Sequence, residues 1–86
     1  MYEKIIFDKL AIKELAEWKS LNQQIYERIV KLIKDIQINP FTGIGKPEPL
    51  KYDKQGYWSR RINKEHRLVY KITENSIIIA SCKFHY

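Results

Sequence analysis

The pattern of apolar and polar positions changes its period along the chain, from helical in the first half to alternating in the second. Before residue 40, apolar residues recur at the three- and four-residue steps of one helix face, at Ile25, Ile29, Leu32, Ile33 and Ile36. This stripe predicts a helix over Gln23–Ile38. Asn22 can cap its start, and Asn39-Pro40 ends it because a residue before proline is pushed out of the α region.

Upstream of this helix, the sequence predicts a short strand and another helix. Tyr2–Phe7 is an apolar run of strand length, and Asp8 is a suitable N-cap for a helix over Lys9–Lys19. Trp18 lies on the apolar stripe of that helix and is expected in the core rather than against a nucleic-acid base. The charged residues of the helix over Gln23–Ile38, Asp35 among them, are expected on a solvated face.

Residues 57–72 alternate in the manner of two strands and predict a β-hairpin. The strands are Tyr57–Ile62 and Arg67–Ile72, which a polar turn joins. Successive side chains of a strand point to opposite faces, so Arg61 shares a face with Ser59. The second strand likewise separates an aliphatic row from a cationic row. Such a hairpin has one face for a core and one for an anion; a solvated face that carries charge for solubility is the alternative.

The last predicted element is a strand over Ile77–Cys82, which follows a turn at residues 73–76. The order β-α-α-β-β-β predicts one α+β domain over residues 1–86, with an antiparallel sheet and two helices on one face. The other face of the sheet would then be open, and the chemistry of the protein is expected there.

Length and composition limit the classes of protein that fit. A chain of 86 residues that is 44% hydrophobic builds one modest core. No apolar run approaches the roughly 20 residues that cross a bilayer, so we expect a cytoplasmic protein without a membrane role. One cysteine and two histidines exclude an internal disulfide and do not favour a structural zinc site. The sequence therefore predicts neither a metal nor a cofactor.

The charge of the chain is unevenly distributed. The formal net charge is +6. Residues 1–40 hold seven Lys and Arg against six Asp and Glu, whereas residues 41–86 hold nine against four. The basic surplus lies in the part that contains the hairpin, which favours a nucleic acid or an acidic protein as partner.

The segment Phe41–Leu50 has no usable period, and its two glycines and two prolines predict a constrained loop. Glu48 stands between the two prolines, so its backbone is biased to an extended form. Lys46 and Lys51 flank it and would keep its carboxylate ionised. A carboxylate held on a stiff basic loop is a candidate for chemistry.

Four polar groups converge on the open face if the last strand pairs with the hairpin: Glu48, Arg61, Arg67 and His85. A carboxylate, an imidazole and guanidiniums suffice to cleave RNA by its own 2′-hydroxyl without a metal. The residue types alone are a weak signal, because any basic domain holds a Glu and a His. For His85, a surface position near the chain end is the alternative.

Three separated motifs resemble a known family. KPEPLK at 46–51, GYWSRRINKEHRLVY at 56–70 and the terminal Phe84-His85-Tyr86 are similar to the YoeB (Txe) branch of the RelE-type bacterial toxins. The resemblance implies a microbial-RNase-like fold and a ribosome-dependent mRNA endoribonuclease that acts on mRNA in the ribosomal A site. It also implies a cognate YefM-like antitoxin that holds the toxin inactive. The match covers nearly the whole chain.

The resemblance assigns roles to individual positions. It makes Glu48 the general base, Arg67 the group that stabilises the phosphorane-like transition state, and His85 the general acid. Tyr86 would orient the nucleotide. The resemblance implies that Lys51 and Arg61 are cations that bind phosphate. The basic loop adds Lys46 to this set. Lys83-Phe84 stands where the family has Arg-Tyr, and His66 is expected to be a turn or structural residue.

Two other classes of function remain open from the sequence. The chain could be a non-catalytic basic module that binds RNA, although Glu48 in a phosphate groove would weaken such binding. It could also be an antitoxin-bound homologue with an inactive site, although the Glu, Arg and His positions are complete. The sequence does not determine codon preference, the cleaved bond or the oligomeric state. A homodimer is one of the states that stay open.

Overall fold

In a computed structural model that describes residues 2–83, the chain forms two α-helices and a five-stranded sheet. The elements in chain order are β1 (Lys4–Phe7), α1 (Lys9–Leu21), α2 (Gln23–Ile38), β2 (Glu48–Pro49), a 3₁₀ turn (Tyr52–Lys54), β3 (Tyr57–Arg61), β4 (Arg67–Ile72) and β5 (Ser76–Ser81). The predicted fold class is confirmed, with two helices ahead of a hairpin-containing sheet. No helix among the described residues is long and apolar enough to cross a membrane.

One asparagine separates the two helices. The backbone N–H of Asn22 donates to the carbonyl of Trp18 and ends α1, while its side-chain oxygen accepts from the N–H of Ile25 at 3.2 Å and begins α2. α2 therefore has the bounds that the sequence predicts. Asp8 precedes α1 as expected, but its side chain makes no capping hydrogen bond.

The sheet is mixed rather than wholly antiparallel. Its strand order is β1-β5-β4-β3-β2. The β3–β4 and β4–β5 pairs are antiparallel, as predicted, and the β2–β3 pair is antiparallel too. By contrast, β1 runs parallel to β5, with Ile5 opposite Ile77. This arrangement follows from the two helices, because they carry the chain from β1 across the sheet before β5 returns beside it.

The helices cover one face of the sheet, and the core lies between the helices and the sheet. Buried side chains from both helices and from the strands form one cluster: Ala11, Trp18, Ile29, Leu32, Ile33, Ile36, Ile62, Leu68, Tyr70, Ile77, Ile79 and Cys82. Trp18 is in this core, as predicted from its stripe. Replacing a fully buried residue such as Leu68 by alanine would cost about 2–5 kcal/mol.

The last strand contains an irregularity close to its end. Ile79 and Ser81 lie opposite consecutive residues of β4, so Ala80 is an extra residue between them. A one-residue bulge reverses the alternation of faces beyond it. As a result Cys82 is in the core although the core positions before the bulge are Ile77 and Ile79.

Candidate active site

The face of the sheet opposite the helices carries Glu48, Arg61 and Arg67, three of the residues that the sequence predicts for chemistry. In the register of the strands, Glu48 of β2 lies opposite Ser59 of β3, and Arg61 of β3 lies opposite Arg67 of β4. Because side chains at alternate positions of a strand share a face, these four lie together on one face. The alternation of the hairpin thus predicted the composition of this face correctly.

Glu48, Arg67 and Ser59 are in direct contact. Nη1 of Arg67 donates to Oε1 of Glu48 at 2.9 Å and to Oγ of Ser59 at 3.1 Å. Ser59 is fully buried, whereas the side chain of Glu48 is 56% exposed and that of Arg67 22% exposed. The buried hydroxyl of Ser59 therefore holds the guanidinium of Arg67 in place, and the carboxylate of Glu48 remains accessible to a substrate.

The environment of Glu48 keeps it ionised. Its pKa is lowered from the ordinary value of 4.5, chiefly by the hydrogen bond and the positive charge of Arg67, with smaller effects from Arg61 and Lys46. The sequence led us to expect Lys46 and Lys51 in this role. That expectation was incomplete, because Arg67 is the main cause; Lys51 is an exposed residue that precedes the 3₁₀ turn.

Glu48 belongs to a strand rather than to a loop. The sequence predicts an irregular segment over residues 41–50, but Glu48 and Pro49 pair with β3. The N–H of Leu50 also donates to the carbonyl of Tyr57 at 2.8 Å. The two-residue strand was not predicted, because prolines on both sides of Glu48 remove ladder donors and hide a strand from the pattern.

The segment ahead of β2 is fixed by a buried arginine. Arg60 has no exposed surface and donates to the carbonyls of Asn39, Thr42 and Ile44. It also forms an ion pair with Asp35 at 2.5 Å. The structure contradicts the solvated position that we expected for Asp35, since its carboxylate neutralises a cation that would otherwise be buried alone.

Tyr70 and the backbone of β3 complete this anchor. The hydroxyl of Tyr70 donates to the carbonyl of Pro40 at 2.8 Å, and burial raises the pKa of Tyr70, so the proton stays on. The N–H of Arg61 donates to the carbonyl of Gly45 at 2.6 Å. The chain therefore leaves the anchored segment at a fixed point, three residues before Glu48.

His66 faces away from the candidate site. It is buried on the helix side, where its ring meets that of Trp18 edge-on at a centroid distance of 4.7 Å. This agrees with the structural role expected for it. His85 and Tyr86 lie outside the described residues. Among residues 2–83, no three His, Cys, Asp or Glu side chains are grouped so that they could hold a metal ion.

Two residues of this region were missed as functional candidates. Ser59 positions Arg67, and Arg60 fixes the approach to Glu48. The signal for Ser59 was its place on the same face as Arg61. The signal for Arg60 was its alternation with Trp58 and Ile62, which put a cation on the apolar face and required a buried acceptor for it.

Comparison with known proteins gives a consistent result. The profile of a family described as "YoeB-like toxin of bacterial type II toxin-antitoxin system" matches residues 7–86. Toxin YoeB of Escherichia coli (strain K12) is 46% identical over 83 residues, which cover 96% of this chain and 99% of that protein.

Solved structures agree with the sequence comparison. The YoeB dimer from Staphylococcus aureus superposes with a TM-score of 0.91 at 45% identity, covering 96% of this chain and 97% of that one. The YoeB–YefM complex from the same organism gives a TM-score of 0.90 at 46% identity, with 96% and 97% coverage.

Proposed function

Because this chain belongs to the YoeB-like toxins of bacterial type II toxin–antitoxin systems, we propose that it is a ribosome-dependent mRNA endoribonuclease that inhibits translation. The observation that carries the proposal is the contact between Glu48 and Arg67 on the open face of the sheet, with the carboxylate exposed. A non-catalytic phosphate-binding face would be weakened by such a carboxylate. A nuclease needs it as a base.

The proposed reaction uses the RNA's own 2′-hydroxyl. Glu48 accepts the hydroxyl proton while the 2′-oxygen forms a bond to phosphorus. Arg67 stabilises the negative charge that develops on the phosphoryl oxygens. The bond from phosphorus to the 5′-oxygen then breaks, and His85 donates a proton to that oxygen. The products are a 2′,3′-cyclic phosphate and a 5′-hydroxyl.

The pair of Glu48 and Arg67 would change partners when RNA binds. In the protein alone, Arg67 satisfies the carboxylate and keeps its pKa low, which makes it a weak base. A phosphate that approaches Arg67 competes with Glu48 for the same guanidinium. Weakening that contact raises the pKa of Glu48 and makes it a better base at the moment when substrate is present.

The other proposed contacts follow from the family. Arg61, Lys46 and Lys51 bind backbone phosphates, and Tyr86 orients the nucleotide. The substrate is mRNA presented in the ribosomal A site, since so small a surface cannot enclose a long RNA by itself. The solved S. aureus relatives are a YoeB dimer and a YoeB–YefM complex, so a YefM-like antitoxin and a homodimer are the proposed protein partners.

Single-turnover cleavage of ribosome-bound mRNA tests the proposal. We expect Glu48→Gln and His85→Gln each to slow cleavage by about 10²-fold or more, the usual contribution of a general acid or base. Wild-type protein should leave 2′,3′-cyclic phosphate and 5′-hydroxyl ends. Glu74→Gln is the matched control, because Glu74 is an exposed carboxylate in the turn between β4 and β5.

The alternatives give different results in this experiment. A phosphate-binding module would protect RNA without producing new ends. An inactive homologue would bind its antitoxin and leave mRNA intact. Cleavage by Glu48→Gln and His85→Gln at the wild-type rate would refute the assignment of base and acid.

A further inference from the structure

The contacts at the end of β5 concentrate on one residue, Cys82. Oε1 of Glu14 accepts from its backbone N–H at 2.8 Å, and Nε1 of Trp18 donates to its backbone carbonyl at 2.8 Å. Both side chains come from successive turns of α1, 64 or more residues away in sequence. Two side chains of α1 thus hold both the backbone N–H and the backbone carbonyl of Cys82.

The burial of Glu14 makes this arrangement unusual. Glu14 is only 8% exposed, so a carboxylate has been removed from water to accept a main-chain N–H. Burying a carboxylate is costly unless hydrogen bonds or ion pairs offset the loss of hydration. A well-packed apolar side chain at the same position often gives equal or greater stability. The Cys82 thiol does not account for the cost. Burial raises its pKa to about 12, so the thiol stays protonated.

The next residue is held by the same helix. Nζ of Lys83 forms an ion pair with Oε1 of Glu17 at 3.1 Å and lies over the ring of Trp18, 5.4 Å from its centroid. Immediately before Cys82, the bulge at Ala80 changes which side chains face the core. The last described residues are therefore aimed by a bulge and then fixed by α1.

We propose that Glu14 and Trp18 are positioning residues for the general acid of the cleavage reaction: by holding the backbone of Cys82, they fix the point, three residues before His85, from which the chain supplies that acid. This inference rests on the proposed function, in which His85 protonates the leaving oxygen.

Chain geometry makes the position of Cys82 important. β5 runs antiparallel to β4 with Ser81 opposite Val69, so the C-terminal end of β5 lies beside the end of β4 that begins at Arg67. Three residues span at most about 10 Å, so a displacement of Cys82 is not absorbed by a long linker. A misplacement of about 1 Å in a catalytic group can cost as much as 10²-fold in rate.

The test uses variants that remove one hydrogen bond each. Glu14→Leu removes the acceptor while keeping a buried side chain, and Trp18→Phe removes the donor while keeping a ring. We expect each to slow single-turnover cleavage of ribosome-bound mRNA by between about 10- and 100-fold, with unchanged ribosome affinity. Glu14→Gln keeps an oxygen acceptor and should restore most of the rate. Lys13→Ala, on the exposed side of the same helix, is the control.

A modified substrate separates loss of the acid from a general structural defect. In an mRNA with sulfur replacing the 5′-oxygen of the cleaved bond, the leaving thiolate needs no proton, because thiols have pKa values near 8.5. We expect this substrate to restore cleavage by Glu14→Leu, Trp18→Phe and His85→Gln to near the wild-type rate. It should not restore cleavage by Glu48→Gln, which lacks the base.

The outcomes distinguish this inference from the proposed function. If the thio substrate rescues His85→Gln but neither Glu14→Leu nor Trp18→Phe, Glu14 and Trp18 serve stability alone and the positioning role is refuted. The same follows if both variants cleave the ordinary substrate at the wild-type rate. If His85→Gln itself is not rescued, His85 is not the acid, and both the assignment and the inference fail.

Discussion

At the scale of single residues, Arg67 has two tasks that compete. It donates to Glu48 in the protein alone, and it is the proposed partner of the phosphate in the reaction. Its contact with the buried Ser59 hydroxyl keeps the guanidinium in place for either task. The sequence named both Glu48 and Arg67 as candidate site residues, but it could not show their contact, because each strand pattern fixes a face and not a cross-strand partner.

The first residue-scale prediction concerns the pKa of Glu48. In the protein alone we expect its titration midpoint below 4.5, and we expect Arg67→Gln to raise the midpoint toward that value because Arg67 is the main cause of the shift. Lys51→Gln should leave it nearly unchanged. Side-chain carbon NMR measures both midpoints. An equal rise in the two variants would show that Lys51 contributes as much as Arg67, so Arg67 would not be the main cause of the shift.

The same shift has a consequence for stability. A carboxylate with a lowered pKa binds its proton less tightly when folded than when unfolded. The pair of Glu48 and Arg67 therefore favours folding above pH 4.5, and its contribution is lost as the pH falls through the folded pKa. Because Glu48 is exposed, water screens the pair and this contribution is small.

At the scale of elements, the segment between α2 and β2 is organised by Arg60 rather than by its own sequence. Backbone carbonyls at residues 39, 42 and 44 all accept from this one guanidinium. Gly43 is essential to the arrangement, because its φ is +117° and a Cβ there would lie 2.1 Å from the Asp35 carboxylate. The glycines predicted a turn, but the ion pair that needs them could be seen only in three dimensions.

A pair of glycine substitutions tests this anchor. Gly43→Ala and Gly56→Ala both place alanine at positive φ, but a Cβ at Gly56 meets no atom within 4 Å. We expect Gly56→Ala to cost about 1 kcal/mol of unfolding free energy for backbone strain alone. Gly43→Ala should cost about 1–3 kcal/mol more, because it also separates Asp35 from Arg60. Urea denaturation measures both. Equal losses would mean that the ion pair does not fix the segment.

The elements differ in how far the sequence determined them. α2 and β4 have their predicted bounds, because Asn22, Asn39-Pro40 and the hairpin alternation are local signals. The parallel pairing of β1 with β5 was not predicted, since nothing local connects residues 72 positions apart, such as Ile5 and Ile77. β2 was missed for the opposite reason: its local pattern argues against a strand, and only the pairing with β3 creates it.

At the scale of the whole molecule, internal ion pairs change the meaning of the charge distribution. Two cations of the basic second part are bound to acids of the first: Arg60 to Asp35 and Lys83 to Glu17. These pairs connect the helices to the sheet and do not serve an external anion. The cations of the open face, Arg61 and Arg67 among them, carry the part of the surplus that is available to a partner. A count of charges along the sequence could not separate the two groups.

The last prediction concerns the surface that the antitoxin covers. Chemical modification of arginine can measure it, because the chain has only four arginines. If an acidic antitoxin segment covers the open face, phenylglyoxal should modify Arg61 and Arg67 about tenfold or more slowly in the complex, since the covered side chains react only in the small free fraction. Arg60 is fully buried and should stay unmodified in both states, which confirms that the fold is intact. A peptide with the scrambled sequence of that antitoxin segment has the same composition and controls for the effect of charge alone. Equal modification of Arg61 and Arg67 in free and bound toxin would place the antitoxin elsewhere, because a segment that neutralises this face has to exclude the reagent from its guanidiniums.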